Sequence, residues 1–532
     1  MKKRLTALML VFVFVFTSAM AYAQTSTFVS QTPNEAEARQ LYHGMTFEEF
    51  MQTDLYEDSL NQLVNFYGFD LEFAQNYLRT ISYIENLSAV FGTAEGWSFP
   101  DYIGGIYVDD NGMLVIQLTV AAMRTTASLS NAYETLAQHV DIEHAIVREV
   151  AFSHVELLQT HEYLLEVMMS SRNQSPQIFN GFGIRHTENR VTVHIWDYNP
   201  EGIEYFRQNI LDSPMIMFVP MRGIPMDMND FETSELMLRI MEAEGIENLE
   251  NPADVTRVWR IMESGQIESY TSEQETLDAN YPFLSSSPYQ SYYYQSLQYI
   301  GIEGTNSRIV SSGEAIFRAA GGGAIGSAGH AGTIAFRARH ILTGREGVVI
   351  AGHSFPNANI QTSNVWANGI LIGAVGATPN MPLLWQNGGN IDAAFVPMQS
   401  GVSASNVMPN GQLLNVSWAW PVGNMPVATQ GSTTAAIAPH TLGVVGNITD
   451  LNYVRYVRLS SITRTGKILT NLHSFPGDSG APLYAVGLNN STLGVLSGGV
   501  TDGTAVGGLP RGNEVIFTPA HVIMQGFGLQ RY

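Results

Sequence analysis

A chain of 532 residues, 45% of them apolar, has room for two or three domains with real cores. The absence of any cysteine excludes disulfides, zinc-thiolate sites and a thiol nucleophile. The net charge of −22 is unevenly spread, −26 over residues 1–304 and +4 over the rest, so an acidic first part precedes a glycine-rich, near-neutral second part of different folding class.

Residues 1–23 have the three regions of a secretory signal: Lys2, Lys3 and Arg4, an apolar run from Leu8 to Phe16, and Ala21-Tyr22-Ala23 before Gln24. An uncleaved anchor is the alternative, but the apolar core is short and the Ala-x-Ala site well formed. No other run reaches the roughly 18 apolar residues of a membrane span. The expected product is soluble and extracellular, with no stable membrane anchor after signal cleavage.

Helical spacing follows Thr46 through Leu55, Leu60, Leu63, Val64 and Tyr67. A hairpin is predicted from Gly104–Val108 and Met113–Thr119 around the turn Asp109-Asp110-Asn111-Gly112. Ser153 and Glu156 have capping-box spacing and open a helix through Leu157, Leu164 and Met168. Val191–Trp196 alternates as a strand, and a helix is predicted near Ile203–Ile210. His144, His154 and His161 lack the His-Glu-x-x-His spacing, so they are expected at the surface rather than on a metal. Residues 224–265 look helical and acidic without clear chemistry. The Ser-, Tyr- and Gln-rich stretch that follows reads as an exposed linker and the processing zone.

Gly321-Gly322-Gly323-Ala324-Ile325-Gly326 fits a dinucleotide fingerprint, but that motif needs a strand before it and a helix after it. More glycines and the strand-like Thr333–Phe336 follow instead, so a hairpin is expected and no cofactor. The apolar run Val348–Ala351 ends in Gly352-His353, a buried strand delivering one histidine. Asp392 opens the apolar segment Ala393–Val396. Further on, Gly477-Asp478-Ser479-Gly480 is followed by Ala481-Pro482-Leu483-Tyr484. The tetrapeptide alone is also an ordinary surface turn. As a nucleophile site it makes sense: Ser479 would be held on a tight turn, with the N–H groups of Gly477 and Ser479 as an oxyanion hole and Asp478 turned inward. His353, Asp392 and Ser479 occur in the chain order of chymotrypsin-type hydrolases rather than that of subtilisins or α/β-hydrolases.

From about Gly313 onward the chain resembles the chymotrypsin-fold serine peptidases of bacteria, in the α-lytic protease and streptogrisin branch. The likeness is carried by Gly313–Arg318, Val427–Thr434, Leu493–Gly499 and Phe517–Ala520 besides the three motifs above. The resemblance implies two antiparallel six-stranded β-barrels, with His353 and Asp392 on the first and Ser479 on the second. It also implies that Ser497, Gly498 and Gly499 pair with the substrate backbone as an added strand. The strand and helix order upstream is similar to the α+β pro region of the same branch, which assists folding and inhibits until removed.

The expected organisation is a signal peptide at 1–23, an acidic α+β pro region at 24–268, a linker and processing zone at 269–306, and a trypsin-like protease domain at 307–532. Such a zymogen would be a secreted monomeric serine endopeptidase acting on polypeptide substrates through an acyl-enzyme. Its own pro region would be its partner, with no metal, cofactor or nucleic acid. Two features depart from the branch: Ser354 follows the histidine where a bridged cysteine is usual, and Thr429-Gln430 stands where an arginine often partners the buried aspartate, leaving Asp478 to pair differently. The stretches expected to line the specificity pocket, Leu493–Gly499 and Glu514–Thr518, are mostly apolar and suggest apolar or small P1 residues, with Glu514 expected at a solvent-facing strand end. The alternatives are a silent two-barrel binding or adhesion protein, a protease with a retained N-terminal targeting module, and a serine esterase.

Overall fold

The computed structural model describes residues 47–532 other than 94–95, 125, 171–177, 227–236, 238–239, 247–248, 250, 265–307, 312–314, 321–330, 356–362, 368–369, 377–380, 409–411, 438–443, 458–461, 476, 488–489 and 507–508. All of these fall in one compact unit, Met45–Tyr532. The signal segment 1–23, the linker 269–306 and the glycine cluster 321–326 lie outside the described residues.

Helix α1 (Leu71–Phe91) starts where Asp70 accepts a hydrogen bond from the Phe73 N–H at 2.7 Å, and it buries Phe73, Tyr77, Leu78, Ile81, Ile84 and Leu87. The predicted hairpin forms as β1 (Ile103–Val108) and β2 (Leu114–Thr119), its turn held by Asp109 accepting from the N–H groups of Asn111 and Met113. Strand β3 (Ile146–Val150) adds in parallel to β2. The capping box closes as read: Ser153 N–H donates to Glu156 Oε2 at 2.8 Å, Glu156 N–H to Ser153 Oγ at 3.2 Å, and α2 (His154–Ser170) follows. Hairpin β4 (Phe179–Arg185) and β5 (Arg190–Ile195), helix α3 (Pro200–Asn209) and strand β6 (Ile216–Pro220) complete a second layer around Leu164, Phe182, Ile184, Val193 and Phe206. Residues 224–265 are not helical throughout: Ile224–Met226 is a strand, β7, while residues 240–244 are helical and helix α4 spans Pro252–Ser264.

The rest is β-rich. Strands β8 (Ala315–Ala320), β9 (Phe336–His340), β10 (Glu346–Ile350), β11 (Ser363–Ala367), β12 (Ile370–Val375), β13 (Trp385–Gly388) and β14 (Ile391–Pro397) form two antiparallel sheets, β8-β11-β12 and β13-β14-β10-β9. The bridge between Gly373 and Met398 joins the sheets, and both bury side chains in one core of Val348, Ile350, Val365, Ile372, Ala394 and Val396. This is the first barrel.

The second is a closed ring. Strands β15 (Pro426–Thr429), β16 (Val444–Val457), β17 (Ile462–Thr470), β18 (Pro482–Ala485), β19 (Ser491–Val506) and β20 (Leu509–Pro519) run in the order β15-β18-β19-β20-β17-β16, and β16 returns to pair with β15. Helix α5 (Ser432–Ile437) lies between β15 and β16, and α6 (Ala520–Phe527) follows β20. Between β14 and β15, Leu413 and Trp418 make only isolated bridges, although the stretch Leu413–Trp420 is short and apolar enough to suggest a strand. There the Ser417 N–H turns to the Asn415 side chain at 3.0 Å, a local bond that competes with a ladder.

The N-terminal layer joins this ring directly. Strand β4 pairs antiparallel with β16, Phe182 opposite Val454 and Gly181 opposite Arg455, so the sheet continues through β16-β4-β5-β6. A side chain at Gly181 would place its Cβ 2.3 Å from the Tyr453 hydroxyl, which is why the strand has glycine there. Among the described residues, no helix is long and apolar enough to cross a membrane.

Candidate active site

Strand β10 is buried along Val348, Val349 and Ile350, and the chain leaves it through a 3-10 turn, Gly352–Ser354, that carries His353. Trp385 Nε1–H donates to the Gly352 carbonyl at 2.8 Å and pins that turn. Asp392 is the second residue of β14, the neighbour of β10, and is fully buried. Ser479 lies on the turn before β18, in the other barrel. Gly477 adopts φ +97° there, a conformation that favours glycine, and its carbonyl accepts from Thr333 Oγ1 at 2.9 Å and Ser432 Oγ at 3.1 Å. The Thr333 N–H donates to the Ser479 carbonyl at 2.7 Å, tying the turn to the first barrel.

These folds bring three residues, 39 and 126 positions from one another in pairs with His353, into one line. His353 Nδ1 is 2.7 Å from Asp392 Oδ2 and its Nε2 is 2.7 Å from Ser479 Oγ. The His353 N–H also donates to Asp392 Oδ1 at 2.7 Å, and Ser497 Oγ donates to Asp392 Oδ2. Burial alone would push the Asp392 carboxyl up; the Arg464 guanidinium 3.4 Å away, His353 and Lys467 outweigh it and hold the group well below the usual carboxylate range. An ionised Asp392 holds the Nδ1–H tautomer, so Nε2 is the acceptor for the Ser479 hydroxyl proton.

Asp478 is turned inward as anticipated and finds its partners at the start of α5. Its Oδ1 accepts from the N–H groups of Thr433 (2.9 Å) and Thr434 (3.0 Å), and its Oδ2 from the Thr434 hydroxyl and the Phe475 N–H (3.0 Å). Burial pushes this carboxyl up and the four donors oppose the shift. The threonine donors replace the expected arginine.

Ser497, Gly498 and Gly499 lie in β19 beside the Ser479 turn, and the Gly480 N–H donates to the Leu496 carbonyl at 3.0 Å. The same strand pairs antiparallel with β7: Met226 opposite Gly499, Pro225 opposite Val500, Ile224 opposite Thr501. This backbone ladder makes Ile224–Met226 extended, against its helical appearance in sequence.

Two expectations about side chains are corrected. His154 and His161 are 2% and 7% exposed, against a surface placement; His161 Nε2 is 2.6 Å from the Asn452 carbonyl of β16, and His154 Nδ1 is 3.2 Å from His186 Nε2. His154 is covered by Phe99 and His186 of the N-terminal layer, and His161 by Phe182 and the Asn452 carbonyl. The Glu514 side chain is only 15% exposed and lies 3.8 Å from both Arg455 and His194, so it faces a buried guanidinium and a buried imidazole instead of solvent. One ion pair crosses the contact between the two parts with signs opposite to their bulk charge: Arg185 of β4 pairs with the fully buried Asp450 of β16 at 2.7 Å. Sequence reasoning missed Arg464 and Lys467, whose signal was two cations inside the otherwise uncharged strand Ile462–Thr470.

Two antiparallel barrels with an Asp–His–Ser line at their seam define the chymotrypsin-fold class. Residues 27–150 match the family described as Pro-like N-terminal domain, and residues 155–221 the Pro-like C-terminal domain. Both matched stretches, which are of the α-lytic protease pro region type, lie ahead of the barrels. No curated protein matches the chain. Among solved structures, a Cellulomonas bogoriensis chymotrypsin is similar at 24% identity and TM-score 0.30, covering 42% of this chain and 98% of its own. Thermobifida fusca protease A (21%, TM-score 0.30) and a Nocardiopsis protease (20%, TM-score 0.28) cover the same shares.

Proposed function

We propose that the protein is a secreted serine endopeptidase made as a zymogen, with the pro region at 24–268, a processing linker at 269–306 and the protease domain at 307–532. The observation that carries this reading is His353 held between Asp392 and Ser479 at 2.7 Å on each side. Ser479 Oγ attacks the scissile carbonyl while His353 Nε2 takes its proton; the N–H groups of Gly477 and Ser479 stabilise the oxyanion. His353 then gives the proton to the leaving amine, and water releases the acyl group from Ser479 by the same route. Asp392 holds the imidazole in its tautomer and stabilises its charged form. Substrate adds as a strand along Ser497–Gly499. The pairing of Ile224–Met226 with Gly499–Thr501 supports inhibition by the pro region, since one strand edge cannot serve two partners.

The test is to express the full chain beside Ser479→Ala and follow both by gel, intact mass and labelling with a fluorophosphonate. Shortening and labelling of the wild type alone is the expected result. If neither shortens and neither is labelled after limited proteolysis of the linker, the reading fails. A second reading, a protease that keeps its N-terminal part, is favoured by the sheet continuous through β16 and β4. A labelled species that stays full length would establish it.

A further inference from the structure

Arg464 and Lys467 are both fully buried cations on one strand, β17, and they point to the same side. Strand alternation would forbid this at a spacing of three. Against β16, however, Arg464 stands opposite Arg455 and Lys467 opposite Tyr453, so Thr465 and Gly466 together face only Val454. Gly466, at φ +61°, is the hinge of this bulge. The extra residue turns both cations toward the seam between the barrels. Lys467 Nζ donates to the Asn390 carbonyl at 3.0 Å and to Thr518 Oγ1 at 2.8 Å. Arg464 donates to the Ser497 carbonyl, and its other terminal nitrogen is 3.4 Å from Asp392 Oδ2. On either side of Arg464 the backbone is fixed to the first barrel: the Gly389 N–H donates to the Thr463 carbonyl and the Thr465 N–H to the Gly389 carbonyl, both at 2.8 Å.

We propose that Arg464 is a positioning residue for the reaction. Resting on the reading of His353, Asp392 and Ser479 above, its guanidinium joins the orienting carboxylate of the first barrel to Ser497 of the substrate strand, and its fixed charge sets the field at His353. A buried guanidinium is costly unless its partners are well placed, and here the partners are the orienting acid and the strand that receives substrate. The charged groups facing Asp392 are His353, Arg464 and Lys467. Burial pushes the Lys467 ammonium down to about 7, so near neutral pH Arg464 is the permanent cation of the set. Removing it favours the imidazolium and moves the acid limb of the rate profile to higher pH.

The experiment measures kcat and KM against pH on a peptide ester, with the full chain left to mature by itself, for wild type, Arg464→Met, Arg464→Lys and Lys467→Met. Arg464→Met is expected to lose 10- to 100-fold in kcat, with the acid limb displaced upward by about one pH unit. Arg464→Lys keeps the charge but not the fork. Its limb should stay in place while kcat falls several-fold. Lys467→Met, which removes a cation that bonds Asn390 and Thr518 rather than Asp392, should move the limb less than Arg464→Met. Superimposable profiles for wild type and Arg464→Met, or full activity in Arg464→Lys, overturn the proposal; should Arg464→Met fail to fold, Arg464→Lys decides alone. Fluorophosphonate labelling of wild type separates the two levels: wild type labelled at Ser479 with unaffected Arg464 variants refutes the positioning role only, whereas unlabelled wild type refutes the protease reading beneath it.

Discussion

Arg185→Ala, made in the full-length Ser479→Ala chain so that no processing intervenes, tests whether the Arg185–Asp450 pair clamps the pro region to the second barrel. Asp450 is fully buried and accepts from Arg185 at 2.7 and 3.2 Å and from Thr192 Oγ1 at 2.6 Å. Burial pushes the Asp450 carboxyl up; Arg185, His194 and Thr192 more than offset it and hold the group below its ordinary range. Without Arg185 the carboxylate keeps one side-chain donor. Breaking a buried pair from one side costs about 3–5 kcal/mol, and with Arg185 itself 24% exposed the lower end, about 3 kcal/mol, is expected. That corresponds to roughly 100-fold more frequent opening of β4 from β16, read by hydrogen exchange of the β4 amides. Adding Asp450→Asn removes the stranded charge, so the double variant should recover much of the loss. The sign with pH follows from the depressed carboxyl: the stabilisation is present above the unfolded value near pH 4 and is lost as pH falls through the folded one. A loss below about 0.5 kcal/mol, or a double variant as unstable as the sum of the two singles, would refute the clamp.

Burial pushes His154 down to about 3 and His161, His186 and His521 to about 4, so these groups are neutral when folded and bind protons when unfolded. Stability of the full-length Ser479→Ala chain should therefore be whole above pH 6.5 and decline toward pH 4, by about 2 kcal/mol per independent histidine at pH 5; a flat denaturation midpoint across that window would count against it. Asp392→Asn should lower kcat by about 10⁴ with little change in KM, because the wrong imidazole tautomer then faces Ser479. Thr434→Val removes a donor from the buried Asp478 and should cost about 1–3 kcal/mol in a urea titration of the Ser479→Ala chain. Gly181→Ala should speed exchange of the β4 amides, since the added carbon meets the Tyr453 hydroxyl; unchanged exchange would mean β16 yields easily.

Local signals in the sequence were enough for elements whose cause is local. The turn at Asp109, the capping box of Ser153 and Glu156, and the strand delivering His353 each depend on residues within a few positions, and each appears where it was expected. Chain order and motif chemistry were enough to single out His353, Asp392 and Ser479, whose side chains lie in one line. What stayed hidden depends on partners far along the chain. Ile224–Met226 is a strand because Gly499–Thr501 offers a backbone edge some 275 residues away, and His161 is buried because Asn452 lies over it. The same holds for Arg464: only the bulge at Gly466 and the fold of the other barrel turn a strand cation toward Asp392.

If the N-terminal part is removed as proposed, β16 would lose its ladder with β4. Residues Leu451–Arg455 would then present unpaired N–H and C=O groups along a sheet edge, the kind of surface that recruits strands from other chains. Tyr453 and Val454, now fully covered, would flank it. A chain processed in the proposed way would inherit an adhesive margin from its own maturation, one that Arg455 and the register irregularities of β16 would blunt.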